Sequence, residues 1–249
     1  MSKVIAFANH KGGVAKTTST ASIGGYLARE GYRVLMVDLD GQANLTLMYL
    51  EDDDERPTIY DAMVDGKHLP VLNVRENLDI VPSGIEMASA EIALVNKLER
   101  ERVLSRVLSP VKNKYDFVLI DCPPALNNVT TNAFLAADHI LVPMTAELLP
   151  LKGMRMLDAY IEQLKQVKPS LGITGVFFTR YKARHNLAKA VEEAVSEVYG
   201  DVLLKTKIRE NTSMAESAGS GNDIFDYASR SAAAEDYREL TKEILNKLK

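Results

Sequence analysis

His10-Lys11-Gly12-Gly13-Val14-Ala15-Lys16-Thr17-Thr18 is the stretch on which the reading of this chain turns. A short apolar run, Val4-Ile5-Ala6-Phe7-Ala8, precedes it and reads as a buried parallel strand. An amphipathic run over 19–29 follows and reads as a helix. Strand, glycine-rich turn, Lys-Thr and helix make the build of a phosphate-binding loop. Free N–H groups at a helix start point at an anion, and the helix dipole adds to the attraction. Glycine lets the backbone wrap closely, because it has no Cβ and tolerates φ > 0. In such a loop Gly12, Gly13, Val14, Ala15 and Thr18 supply backbone to ATP, Lys16 reaches the β- and γ-phosphates, and the Thr17 hydroxyl ligates Mg²⁺.

The loop departs from the common pattern G-x-x-x-x-G-K-[ST]. His10 and Ala15 stand where that pattern has glycine, and a second lysine, Lys11, stands at the head. An alanine at position 15 is free of cost at φ < 0 and strained at φ > 0. This Lys-Gly-Gly-x-x-Lys-Thr form is the deviant Walker A motif, and in it the chain resembles the MinD/ParA class of ATPases. The resemblance implies that Lys11 reaches across a dimer interface to the nucleotide of a second subunit.

Bulk composition narrows the rest. A 249-residue chain with 46% hydrophobic and 26% charged residues has the make-up of a soluble globular protein. Its formal net charge of -4 gives no global affinity for nucleic acid, so DNA binding requires a local basic patch. One cysteine, Cys122, leaves no intrachain disulfide and no cluster of several thiolates, and a cytoplasmic protein is the simplest reading. The apolar start has no cleavage pattern of a signal peptide, and no apolar run approaches the length of a membrane span.

Strands and helices alternate from 33 onward. Runs at 33–40, 78–82, 115–121, 139–143, 173–179 and 202–204 read as strands. Helical patterns fill 16–29, 45–50, 58–63, 85–108 with a break near 97–100, 128–136, 151–168, 186–199, 212–218 and 232–249. No linker or repeat interrupts them. The expected fold is one doubly wound α/β domain over 1–249, a P-loop NTPase with a mainly parallel sheet of seven or eight strands flanked by helices.

Three strand ends supply one site. Asp121 closes a buried strand in the Walker B manner and is expected to hold Mg²⁺ through a water or through Thr17. Asp38 and Asp40 share one strand face. The resembled family usually has Asp-x-Asp-Pro-Gln here, and its second Asp, matched by Asp40, positions or activates the attacking water. Asp38 is expected nearer the Mg²⁺ shell or the loop lysine. Gly41 replaces the family's proline, which implies a looser switch. Catalysis is assigned to Asp40, Lys11 and Lys16, with ATP and Mg²⁺ as cofactors and slow, partner-stimulated hydrolysis.

Further matches cover the whole chain: Asp-Gly-Gln-Ala-Asn-Leu-Thr at 40–46, Leu-Ile-Asp-Cys-Pro-Pro at 119–124, Ile-Arg-Glu-Asn at 208–211 and Ser-Arg-Ser at 229–231. They resemble ParA/Soj-type partition ATPases. The resemblance implies a cytoplasmic, nucleoid-associated homodimer formed on ATP binding, non-specific DNA contact through Arg209 and Arg230, joined by Lys205 and Lys207, and a ParB-like stimulating partner. Two other readings share the core: a MinD-like positioning ATPase on a membrane or protein surface, and an ATP-dependent biosynthetic enzyme. Leu240, Ile244 and Leu248 form a narrow stripe with no aromatic anchor, which suits packing on the domain better than membrane insertion.

Overall fold

The computed structural model describes residues 2–147 and 150–249. Buried apolar strands require helices on both faces of a sheet, and the chain supplies them by alternation. It runs β1 (Lys3–Phe7), α1 (Lys16–Arg29), β2 (Val34–Asp38), α2 (Asn44–Leu47), α3 (Ile59–Met63), β3 (Leu72–Arg75) and β4 (Leu78–Val81). Then come α4 (Ala90–Leu94), α5 (Val103–Leu108), β5 (Phe117–Asp121), α6 (Asn128–Ala136), β6 (His139–Thr145), α7 (Pro150–Leu164), β7 (Ile173–Thr179) and α8 (Asn186–Tyr199). The last part holds α9 (Thr212–Gly219), α10 (Ile224–Ala228) and α11 (Ala232–Lys247).

The seven strands form one sheet in the order β3-β4-β2-β5-β1-β6-β7. Every pairing is parallel except β3 with β4. The connection from β1 to β2 steps over β5, and the connection from β5 to β6 steps back over β1. Right-handed crossovers in opposite directions put their helices on opposite faces. Side chains of β1 show the split: Val4 and Ala6 join Val129 and Phe134 of α6 in one core, while Ile5 and Phe7 join Ile23 and Leu27 of α1 in the other. This reversal opens a crevice at the carboxyl ends of β1 and its neighbours, where ligands sit in open α/β sheets.

Two differences from the sequence reading have local causes. β3 is an unforeseen edge strand whose side chains are mostly half-buried, so its hydrophobic signal is weak. It folds back on β4 through Glu76-Asn77, with Asn77 at φ 60, a conformation asparagine tolerates. The run 202–204, expected as a strand, makes only an isolated bridge between Leu203 and Val176. Thr58 caps α3, with Asp61 completing a capping box.

Candidate nucleotide-binding site

The loop after β1 is anchored before it turns. Asn9 donates from Nδ2 to the Pro143 carbonyl of β6 (2.8 Å) and accepts at Oδ1 from the Lys11 amide (2.9 Å). Gly13 and Ala15 both take the left-handed conformation, at φ 72 and φ 63. Two such residues close together curl successive amides toward one point, a concavity suited to an anion. Space above Gly12 and Gly13 is open, with no atom near a would-be Cβ. Ala15 is therefore strained, at a cost of about 1–2 kcal/mol. Its carbonyl accepts from the Ser19 amide (2.9 Å), so the strained residue starts α1.

Lys16 is almost wholly buried, and its Nζ donates to the Lys11 carbonyl at 3.3 Å. Burial pulls its pKa down, opposed by Asp121, Cys122 and Asp40. An ammonium so desolvated gains from any anion brought into the loop. Thr17 donates its hydroxyl proton to Asp121 Oδ2 at 2.6 Å. The threonine oxygen thus keeps its lone pairs for a cation. Asp121 Oδ1 is buried without a hydrogen-bond partner. Burial, with Asp38 nearby, raises the Asp121 carboxyl well above the ordinary range. An orphaned carboxylate oxygen beside a threonine oxygen fits Mg²⁺, a hard ion that prefers oxygen and keeps much of its water.

Asp38 stands beside Asp121 across the β2–β5 pairing, on the side where it was expected, and its own oxygens bond the segment that follows β2. Its Oδ1 accepts from the Asp40 amide (3.1 Å), and its Oδ2 accepts from the amide and hydroxyl of Thr46 (2.9 and 2.8 Å). It fastens both ends of the 40–46 segment. Burial pushes its carboxyl up to about 6. The Asp40 carbonyl accepts from Ser83 Oγ (2.7 Å), and its carboxylate accepts from the Gln42 amide (3.0 Å). Gly41 is not a loose point: a Cβ there would lie 2.9 Å from the Ala88 amide nitrogen. Glycine lets the 85–89 turn close onto the segment.

These parts border one cleft of about 980 Å³. Gly12, Lys16 and Thr17 line it, with Asp40 and Asn44 from the segment after β2, and Thr179 at the end of β7. The loop 208–212 and α9 complete it, and Tyr237 reaches it from α11. Thr179 ties this side to the loop, donating from Oγ1 to the Val14 carbonyl at 3.1 Å. Lys11 is outside this lining. Its Nζ stands 2.5 Å from Glu147 Oε2 beyond β6. Two lysines five residues apart therefore face different ways, Lys16 into the cleft and Lys11 out of it.

Comparison with known proteins gives the family. Residues 2–173 match the family described as AAA domain. The chain is 39% identical over 249 residues to the sporulation initiation inhibitor protein Soj of Bacillus subtilis (strain 168), covering 98% of both. It is 36% identical to the chromosome-partitioning ATPase Soj of Treponema pallidum (strain Nichols), again over 98% of both. The chain belongs to the Soj/ParA family of P-loop ATPases. A solved structure titled cobyrinic acid a,c-diamide synthase from Mycobacterium smegmatis, with bound ADP and magnesium, is 32% identical. It superposes with a TM-score of 0.86 over 98% of this chain and 94% of that one. A plasmid partition protein of Borrelia burgdorferi bound to AMPPNP shares the fold at a TM-score of 0.86 and 24% identity, over 99% and 100% of the two chains.

The four basic residues expected for DNA do not form one free patch in this Soj/ParA chain. Arg209 is held by Asp236, with Nη2 to Oδ1 at 2.6 Å, and its Nη2 also donates to the Ala232 carbonyl. Lys207 pairs with Glu192 at 2.5 Å and stacks on Tyr181. Lys205 and Arg230 are exposed and make no ion pair among the described residues. The 205–209 run lies along α11, so Arg209 reaches the start of α11 beside Arg230, and Lys205 lies at Glu243. Leu240, Ile244 and Leu248 are buried in the α1 core, as the sequence suggested. Among the described residues no helix is long and apolar enough to cross a membrane.

Sequence reasoning missed Glu147, Thr46, Ser83 and Tyr237. The first three act through side-chain contacts that exist only once the chain has folded, and no spacing marks them. Asp223, which caps α10, had a readable signal: an Asn-Asp pair just before the apolar Ile224-Phe225.

Proposed function

We propose that this protein is a DNA-partition ATPase, one unit over 1–249, that dimerises on ATP, holds DNA non-specifically as the dimer, and lets go on partner-stimulated hydrolysis. The observation that carries this reading is the outward lysine. Lys16, Thr17 and Asp40 line the cleft and Asp121 bonds to Thr17, yet Lys11 points away from that cleft to Glu147. A lysine so placed serves a nucleotide other than its own. The name of one near-full-length relative, the chromosome-partitioning ATPase Soj, points to the chromosome as cargo.

The chain's residues divide the work. Loop amides from Gly12 to Thr18 and the Lys16 ammonium bind and orient the phosphates. Thr17 and Asp121 would hold Mg²⁺, which neutralises charge on the phosphates when bound. Asp40, kept in place by Asp38 and Ser83, orients the attacking water. Positioning and charge stabilisation do most of the catalysis in phosphoryl transfer. Arg230 and Lys205 are the free cations for phosphate contact, with Arg209 available if Asp236 releases it. Such contacts give weak, salt-sensitive, sequence-independent binding.

The test is co-sedimentation of the Asp40→Ala protein with non-specific duplex DNA and with anionic liposomes, each with ATP or ADP. Pelleting with DNA in ATP alone is the expected result, together with a loss of hydrolysis of about 10²–10⁴-fold. Liposome binding without DNA binding overturns the partition reading in favour of surface positioning.

A further inference from the structure

The cleft and the basic loop at Arg230 are joined by a short turn. α9 lines the cleft with Met214, Ala215 and Ala218, and α2 lines it with Asn44 and Leu47. Just past α9, Gly221 (φ 71) sits against the end of α2, its would-be Cβ 3.9 Å from the Leu47 and Met48 carbonyl oxygens. Asp223 follows and is wholly buried. It caps α10, accepting at Oδ1 from the amides of Phe225 and Asp226 (2.8 and 3.2 Å). Its Oδ2 accepts from Arg29 Nη1 of α1 (3.0 Å), Arg75 Nη1 of β3 (2.8 Å) and the Tyr49 hydroxyl (3.4 Å). Gly25 in α1 makes room for it: a Cβ there would sit 2.3 Å from Asp223 Oδ2. α10 then runs five residues to the Ser229-Arg230-Ser231 loop that starts α11.

We propose that Asp223 is the pivot through which nucleotide in the cleft sets the position of Arg230. The claim rests on the proposed role of Arg230 in DNA contact. Arg29 and Arg75 belong to the helix after the loop and to the sheet, so they are the fixed side of the joint. Tyr49 and the α2 carbonyls belong to the segment that begins at Asp40, so they are the moving side. A ligand filling the cleft touches both α2 and α9 and displaces the turn between them. A buried carboxylate shared by two guanidinium groups and a helix cap does not deform gradually, because each lost partner leaves buried charge uncompensated. It holds α10 as a rigid arm, and the displacement appears at the arm's far end. Asp226 reinforces the joint by pairing with the same two arginines. Asp223 is a positioning residue: it touches neither nucleotide cleft nor DNA.

The chain has no tryptophan, so one can be placed as a sole reporter. Tyr227 is half-exposed on α10, and its hydroxyl lies 3.3 Å from Glu216 of α9. In Tyr227→Trp, adding ATP and Mg²⁺ should change the emission. The same addition to Tyr227→Trp carrying Asp223→Asn or Arg75→Gln should not, while a fluorescent ATP analogue binds as before. DNA affinity in ATP should fall about tenfold in both variants. Arg75→Gln leaves the α10 cap intact and decides the matter where Asp223→Asn fails to fold. An emission change of full size in folded Arg75→Gln protein, or none in the parent, overturns the pivot. Loss of the emission change with DNA binding untouched supports the pivot and overturns the role of Arg230.

Discussion

Lys11 Nζ lies 2.5 Å from Glu147 Oε2, and both side chains are about half exposed. The lysine also holds the Glu147 carboxyl below its ordinary range. A pair so exposed contributes about 0–1 kcal/mol, little enough to be exchanged for a phosphate. Glu147→Gln should therefore change unfolding stability by less than about 1 kcal/mol. It should raise the fraction of ATP-dependent dimer, measured by analytical ultracentrifugation in an Asp40→Ala background. A smaller dimer fraction would show instead that Glu147 is needed in the dimer.

Gly41 admits no side chain without movement, because the Ala88 backbone is already in the space a Cβ needs. Gly41→Ala should destabilise the protein by about 1–3 kcal/mol, read from the urea midpoint. It should also slow hydrolysis more than it weakens ATP binding, since the displaced segment carries Asp40 and not the loop lysine. An unchanged midpoint would mean that the 85–89 turn yields freely.

Ala15 stores its strain at the start of α1. Ala15→Gly removes the Cβ clash but adds freedom to the unfolded chain, two effects of about 1–2 and 0.4–1 kcal/mol. The net expectation is stability equal to or up to about 1.6 kcal/mol above wild type by chemical denaturation. A clear loss would show that the Ala15 methyl makes contacts that matter more than its backbone angle.

Asp38 gives the site a pH signature. Its carboxyl is raised from 3.8 to about 6 by burial, so the folded protein keeps a proton that the unfolded chain releases. The stabilising contribution of that proton is complete below pH about 4 and is lost as pH rises through about 6. In EDTA without nucleotide, the unfolding free energy of wild type minus that of Asp38→Asn should fall across this window and flatten above it. A difference that rises with pH would put Asp38 in a cationic environment that this structure does not contain.

The parts legible in the sequence share one property: they are local and periodic. The loop at 10–18, the buried run ending at Asp121 and the alternation of strands and helices each announce themselves within a dozen residues. The sheet was therefore readable except at its edges, where β3 was not foreseen and 202–204 makes only a bridge. What escaped depends on which distant segments meet. Nothing near Asp38 says that Thr46 will take its carboxylate, because the bond exists only once the 40–46 segment folds over. Arg209 and Lys207 look like free cations in sequence, but Asp236 and Glu192 reach them from α11 and α8. β3 was missed because an edge strand buries one face poorly, which erases the pattern that marks a strand.

Cys122 has a practical consequence. It is the sole cysteine, follows Asp121 directly and is wholly buried. Burial, with Asp121 beside it, pushes its thiol far above the ordinary range, so little reactive thiolate forms at neutral pH. The natural chain is thus chemically silent toward maleimide dyes while it stays folded. A single cysteine introduced on the exposed surface can carry a probe with no need to remove the native one, which leaves the strand that ends at Asp121 untouched in every labelled protein.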